Sequence, residues 1–209
     1  MIKVTNIDGW GFNHAIRGMR NPMNSWERSD TRTDILTNET KVGSADLELM
    51  QKLFKAGSEH RKYLRQIFVS MDITAPLYWW KEFDTYKVGT VANSCSTMHK
   101  IAEKEFELDD FSHDHLTPES AKLLLNLISS LNKDRELYLQ SKNKEHWWQL
   151  IQLLPSSYNQ KRTITMNYEN IVNIICQRRG HKLDEWGCFV NNLMVLPYVK
   201  EITGIKTDE

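Results

Sequence analysis

The sequence predicts a mostly helical α+β domain with a small antiparallel sheet, on three observations. Apolar residues recur at helical spacing within Ser44–Lys55, Thr117–Leu131, Tyr168–Arg178 and Lys182–Leu196. Short runs rich in β-branched and apolar types, Ile2–Ile7, Tyr63–Ile73 and Lys161–Thr165, read as strands. No repeat or low-complexity tract divides the 209 residues, so residues 1–209 are expected to share one core.

The elements follow in order. After the first strand comes a polar stretch, Arg17-Gly-Met-Arg-Asn-Pro-Met-Asn-Ser-Trp26, rich in turn formers and read as a loop. Two arginines three residues apart, beside Asn21, Asn24 and Ser25, suit either a phosphate or a solvated turn. The helix over Ser44–Lys55 takes Ser44 as its cap. Its apolar stripe is Leu47, Met50, Leu53 and Phe54, and Gly57 ends it. Ala75-Pro76 opens a helix with Leu77, Trp80 and Phe83 on one face, whereas Val91–His99 fits no single element type. Thr117-Pro118-Glu119 is a strong helix start, followed by Leu123, Leu124, Leu127 and Leu131. A helix near Glu145–Leu153 stops before Pro155. The next, Tyr168–Arg178, buries Ile171, Ile174 and Ile175. The last, Lys182–Leu196, buries Leu183, Trp186, Val190 and Leu193.

Composition excludes several classes. Basic and acidic side chains balance at 27 each, so no general attraction to nucleic acid is expected. The three cysteines, Cys95, Cys176 and Cys188, form no C-x-x-C pair. This argues for a reducing compartment and against a disulfide scaffold or zinc ribbon. The N-terminal residues lack the apolar core of a signal peptide, and no stretch approaches the ~20 apolar residues that span a membrane. A cytoplasmic protein without membrane partners is expected. The pairs Trp79–Trp80 and Trp147–Trp148 suit core, a subunit interface or a ring-stacking site.

Common catalytic motifs are absent. Gly9 and Gly11 lack the third glycine and the Lys-Ser/Thr of a phosphate loop, and there is no H-E-x-x-H. His113 and His115 lie among Asp109, Asp110 and Asp114 without a further ligand pair, so a solvated loop is preferred to a metal site. Cys95-Ser96 with His99 would place a base near a nucleophile on a helix, a weak pattern.

The most informative stretch runs from Leu154-Pro155 through Thr165-Met-Asn167 to Asn173 and Arg178. Amides such as Asn173 offer both a donor and an acceptor, and a guanidinium such as Arg178 offers fixed cationic donors. In this stretch the chain resembles the flavin-dependent thymidylate synthases. They carry Leu-Pro, an asparagine within Thr-x-Asn twelve residues after the proline, an asparagine or histidine six residues on, and an arginine eleven residues on. Pro155, Thr165, Asn167, Asn173 and Arg178 match without a gap. The family's Glu-His before a strand matches Glu59-His60. Its signature is Arg-His-Arg, two residues, Ser, one residue, Asn-Glu, one residue, Ser, one residue, Arg. Asn93 and Ser96 match there, whereas Tyr86-Lys87-Val88 replaces Arg-His-Arg, Ser94 the glutamate and Met98 the last arginine. Two further family arginines align with Ile151 and Glu169.

The resemblance, spanning roughly Ser58 to Leu193, implies an α+β fold and a homotetramer with FAD between subunits. It also implies methylation of dUMP to dTMP with methylenetetrahydrofolate and NADPH. It places Arg178 on the pyrimidine and Ser96 near the nucleotide, as the catalytic pair. His60, Asn93, Asn167 and Asn173 would contact flavin. Tyr86 and Lys87, in the signature's place, are further candidate flavin contacts, Lys87 also toward the substrate. Phosphates need fixed cationic donors, so Lys87, Arg17, Arg20 and Arg162 are candidate replacements for the missing arginines. Two alternatives remain open. One is a divergent homologue that binds or modifies another pyrimidine nucleotide. The other is a non-catalytic nucleotide-binding or interaction protein using its tryptophans.

Overall fold

Alternate residues of Phe68–Pro76 are buried, the period of a strand packed on one face. That strand is central in the computed structural model, which describes residues 2–37 and 39–205. In chain order the elements are β1 (Lys3–Trp10), α1 (Phe12–Arg20), β2 (Arg32–Thr33), β3 (Thr40–Lys41), α2 (Ser44–Lys55), β4 (Phe68–Pro76) and α3 (Leu77–Phe83). Then come β5 (Thr90–Ser94), α4 (Pro118–Ser141), α5 (Lys144–Leu153), β6 (Asn159–Asn167), α6 (Tyr168–Arg178), α7 (Asp184–Met194) and α8 (Val199–Thr203). Four strands pair in the order β1–β4–β6–β5, and β2 and β3 form a separate antiparallel pair. The fold is α+β and mostly helical, as the sequence predicts. No helix among the described residues is long and apolar enough to cross a membrane.

The backbone clusters into two compact units. One contains Asp72–Thr85 and Ala92–Thr163. Its core gathers Phe106, Phe111, Leu124, Ile128, Leu131 and Leu150. Thr117 caps α4 as expected, its hydroxyl accepting from the Ser120 amide. Leu123, placed on the apolar stripe by spacing, is instead 69% exposed, because the buried row runs through Leu124, Ile128 and Leu131. Trp79 and Trp80 are fully buried and pack edge to face, 4.9 Å between centroids. The Trp80 indole N–H donates to the Gln160 carbonyl at 2.9 Å. This pair is core, so it offers no surface for a partner.

The other unit contains Val4–Met71, Tyr86–Val91 and the chain from Ile164 onward. Here the expected loop from Arg17 begins as the end of a helix. Phe12, Ala15, Ile16 and Met19 are buried at spacings of three, one and three, the inner stripe of α1. Only beyond Arg20 does the chain tighten into 3-10 turns at Asn21–Met23 and Trp26–Arg28. Gly11 precedes α1 with φ +98, and a Cβ there would stand 2.2 Å from the Gln66 carbonyl oxygen.

Two further expectations shift. The N-terminus of α2 is capped from a distance: Asp30 accepts from the Ala45 and Asp46 amides at 2.9 and 3.1 Å, while Ser44 is the first helical residue. The strand expected from Tyr63 begins at Phe68, because Arg61–Gln66 is a 3-10 turn in which the Tyr63 hydroxyl donates to the Met50 carbonyl. Cys95, Cys176 and Cys188 are free thiols, all exposed.

Candidate functional site

Helix α6 is built from one apolar and one polar face. Ile171, Val172, Ile174 and Ile175 are buried. Asn170, Asn173 and Gln177, at spacings of three and four, share the opposite edge. Asn167 begins the helix: its side-chain oxygen accepts from the Asn170 amide at 3.0 Å. The helix ends at Arg178.

The segment Tyr86–Thr90 is fastened along that polar edge, running opposite to the helix. At the start of α6 the Asn170 side-chain amide donates to the Val88 carbonyl at 2.8 Å and reaches the Thr90 hydroxyl at 2.9 Å. Gly89 has φ +73, and a Cβ there would lie 2.8 Å from the Asn167 side-chain nitrogen, so a larger residue would be strained and would crowd the cap. At the end of α6 the Arg178 Nε donates to the Tyr86 hydroxyl at 2.8 Å, which donates onward to Gln177 Oε1 at 3.0 Å. The guanidinium carbon lies 4.5 Å from the centroid of the buried Trp186 ring and 5.5 Å from that of Tyr86. Such stacking contributes about 0.5–2 kcal/mol, depending on desolvation.

Of the residues singled out in sequence, Tyr86, Lys87, Asn167, Asn173 and Arg178 thus meet on or beside α6. Lys87 is exposed and its carbonyl accepts from the Thr90 amide in the turn. Half-buried Asn173 stands on the polar edge between Asn170 and Gln177. Trp186 entered the sequence argument only as core, and Asn170 and Gln177 did not enter it. Their spacing with Asn173 was the available signal.

His60 lies elsewhere in the same unit, on a cavity of about 740 Å³ that none of those five residues lines. Met19, Met23 and Leu53 give it an apolar wall, and His60, Lys62 and Gln66 supply polar groups. Glu59 also lines it, and its size lies within the range of small-molecule sites. Asn93 and Ser96 belong to the first unit. Asn93 is exposed on β5, and the Ser96 hydroxyl accepts from the His99 backbone amide at 3.0 Å, closing a turn. The imidazole is not the group that meets Ser96 in that bond.

Among the candidate phosphate donors, Arg20 is buried and its Nε donates to Asp46 at 2.6 Å. Arg162 pairs with Asp84 at 2.7 Å and stacks 4.2 Å above Trp80. Those two guanidinia have structural partners. Arg17 and Lys87 are exposed. Glu169, where the resemblance would place an arginine, binds Arg65, and the salt bridge favours the charged form of that guanidinium. Among the described residues no cluster of histidine, cysteine and carboxylates could hold a metal ion.

No protein-family model matches the sequence, and no curated protein matches it. Solved structures do. The chain is similar to the flavin-dependent thymidylate synthase ThyX from Helicobacter pylori complexed with FAD and dUMP, at 18% identity and a TM-score of 0.65 over 95% of this chain and 97% of that one. A second structure of Thymidylate Synthase X from the same organism, with FAD and dUMP, aligns at 19% identity and a TM-score of 0.68 over 97% of both chains. At such identity the similarity is one of architecture: almost the whole chain follows the fold of these flavin-dependent thymidylate synthases.

Proposed function

We propose that the protein is a divergent flavin-dependent thymidylate synthase, methylating dUMP to dTMP with FAD, methylenetetrahydrofolate and NADPH. The observation that carries this is the near-complete backbone similarity to two structures of a thymidylate synthase solved with FAD and dUMP. Fold alone does not fix chemistry. The second support is local: Asn173 stands on the polar edge of α6 and Arg178 at its C-terminal end, against Trp186.

In this reading Arg178 binds the pyrimidine carbonyl and stabilises the charge that develops as the ring is attacked. Lys87, exposed one residue after the tyrosine that holds Arg178, meets the nucleotide phosphate. His60, with Lys62 and Gln66 on the 740 Å³ cavity, holds flavin. The Asn173 amide adds donors and acceptors for a ring edge. From the resemblance, Asn93 and Asn167 are taken as further flavin contacts and Ser96 as a further nucleotide contact. Flavin, when bound, supplies the redox chemistry, so no cysteine nucleophile is required. The working form is a cytoplasmic homotetramer, with residues 1–209 acting as one domain.

Binding of dUMP is expected to raise the melting temperature, since a ligand held only by the folded state stabilises it by about 2.7 kcal/mol at 100 times its Kd. Expression in a thymidine-requiring bacterial strain is expected to permit growth without thymidine. A dUMP shift without growth would favour the alternative, a homologue that binds or modifies another pyrimidine nucleotide. Indifference to dUMP would defeat the nucleotide reading.

A further inference from the structure

Arg178, at the end of α6, is held by its neighbours. Its Nε–H is engaged by the Tyr86 hydroxyl at 2.8 Å, and its plane is backed by Trp186 at 4.5 Å. Tyr86 is itself oriented, because its hydroxyl donates to Gln177 Oε1 at 3.0 Å and its ring packs edge-on to Trp186, 6.0 Å between centroids. Arg178 has further interactions besides these. The Tyr86 hydroxyl therefore acts as an acceptor toward a permanent cation and a donor toward a neutral amide, which fixes its proton on the Gln177 side. A flexible arginine would lose side-chain entropy on meeting a ligand, and one already held in place loses less.

We infer that Tyr86 is a positioning residue whose hydroxyl, with the Trp186 face, fixes Arg178 for a pyrimidine nucleotide, rather than a residue that itself contacts flavin. This rests on the nucleotide reading above. The side of the guanidinium carrying Nε is given to Tyr86.

The Y86F variant tests it, since it removes one oxygen and keeps the ring against Trp186. Two readouts are needed. The first is hydrogen exchange of the Arg178 Nε–H in nitrogen-15 spectra, with that signal identified by its absence in R178K. Exchange is expected to be at least about 10-fold faster in Y86F, the protection expected of a bond to a charged donor. The second is dUMP affinity, expected to weaken about 5- to 20-fold, with the melting temperature of the free protein little changed. Tyr86 acting only as packing would leave both readouts at wild-type values and overturn the inference. Faster exchange with unchanged dUMP affinity would overturn it too, because Arg178 would then need no fixing for the ligand. Wild-type protein that ignores dUMP would defeat the nucleotide reading and with it the role at the ligand. The exchange rate would still decide whether Tyr86 holds Arg178.

Discussion

Replacing Asp46 with alanine is expected to destabilise the protein by about 3–5 kcal/mol, the cost of leaving one partner of a buried ion pair alone. Asp46 and Arg20 are 0% and 4% exposed, and the Arg20 Nε donates to Asp46 Oδ1 at 2.6 Å. The other carboxylate oxygen accepts from the Ser29 hydroxyl at 2.7 Å and from the Asp30 and Thr31 amides at 3.1 and 3.0 Å. Both oxygens of this carboxylate are thus engaged, and four residues, Arg20 of α1 and Ser29, Asp30 and Thr31 of the loop that follows it, donate to it. Burial alone pushes the Asp46 carboxyl up, but hydrogen bonds from Thr31, Ser29 and Arg20 outweigh it and hold the group below its ordinary value. A depressed value in the folded state means that the unfolded chain binds the proton more tightly. The stabilisation is complete above the unfolded carboxylate value of about 3.9 and is lost as pH falls through the lower folded value. Denaturant titration at neutral pH checks the magnitude. The same titration in acid should show wild type losing stability faster than D46A. A loss below about 1 kcal/mol at neutral pH would show that Arg20 finds another partner.

Removing the Arg178 guanidinium is expected to have the largest effect on ligand binding. R178A should weaken dUMP binding about 10- to 100-fold, the range for hydrogen bonds to charged groups. R178K should recover little, because lysine cannot reproduce a planar fork stacked on Trp186 and bonded to Tyr86. Isothermal titration with dUMP measures this, with circular dichroism confirming that the helices remain. Undiminished affinity in both variants would remove Arg178 from the site and favour a protein whose activity lies elsewhere on its surface.

Where the chain carried local signals, the sequence was legible. Helix α6 begins and ends where its capping asparagine and final arginine place it, and Thr117-Pro118 marks the start of α4. Distant partners hid the rest. The cap of α2 comes from Asp30, fourteen residues before Ser44, so no local pattern announces it. α1 was masked because its outward face is polar and turn formers follow it, although Phe12, Ala15, Ile16 and Met19 carry the helical period. Arg20 looked like an anion donor beside Asn21 and Ser25. Its engagement with Asp46 depends on packing across twenty-six residues. At the candidate site, Asn173 and Arg178 could be placed on one helix from spacing, whereas Tyr86 as the hydroxyl partner of Arg178 could not, since ninety-two residues separate them. The same distance effect explains Glu169. In sequence it reads as the loss of an arginine, while in the fold it gathers Arg65 to the start of α6.

The most direct test of the proposed chemistry is the absorbance spectrum of the purified full-length protein, before and after incubation with FAD and removal of the unbound excess. Retained oxidised-flavin bands, at about one flavin per chain and with the flavin released on denaturation, are the expected result. A protein that stays colourless after loading, while remaining folded by circular dichroism, would contradict the assignment of flavin chemistry to this fold.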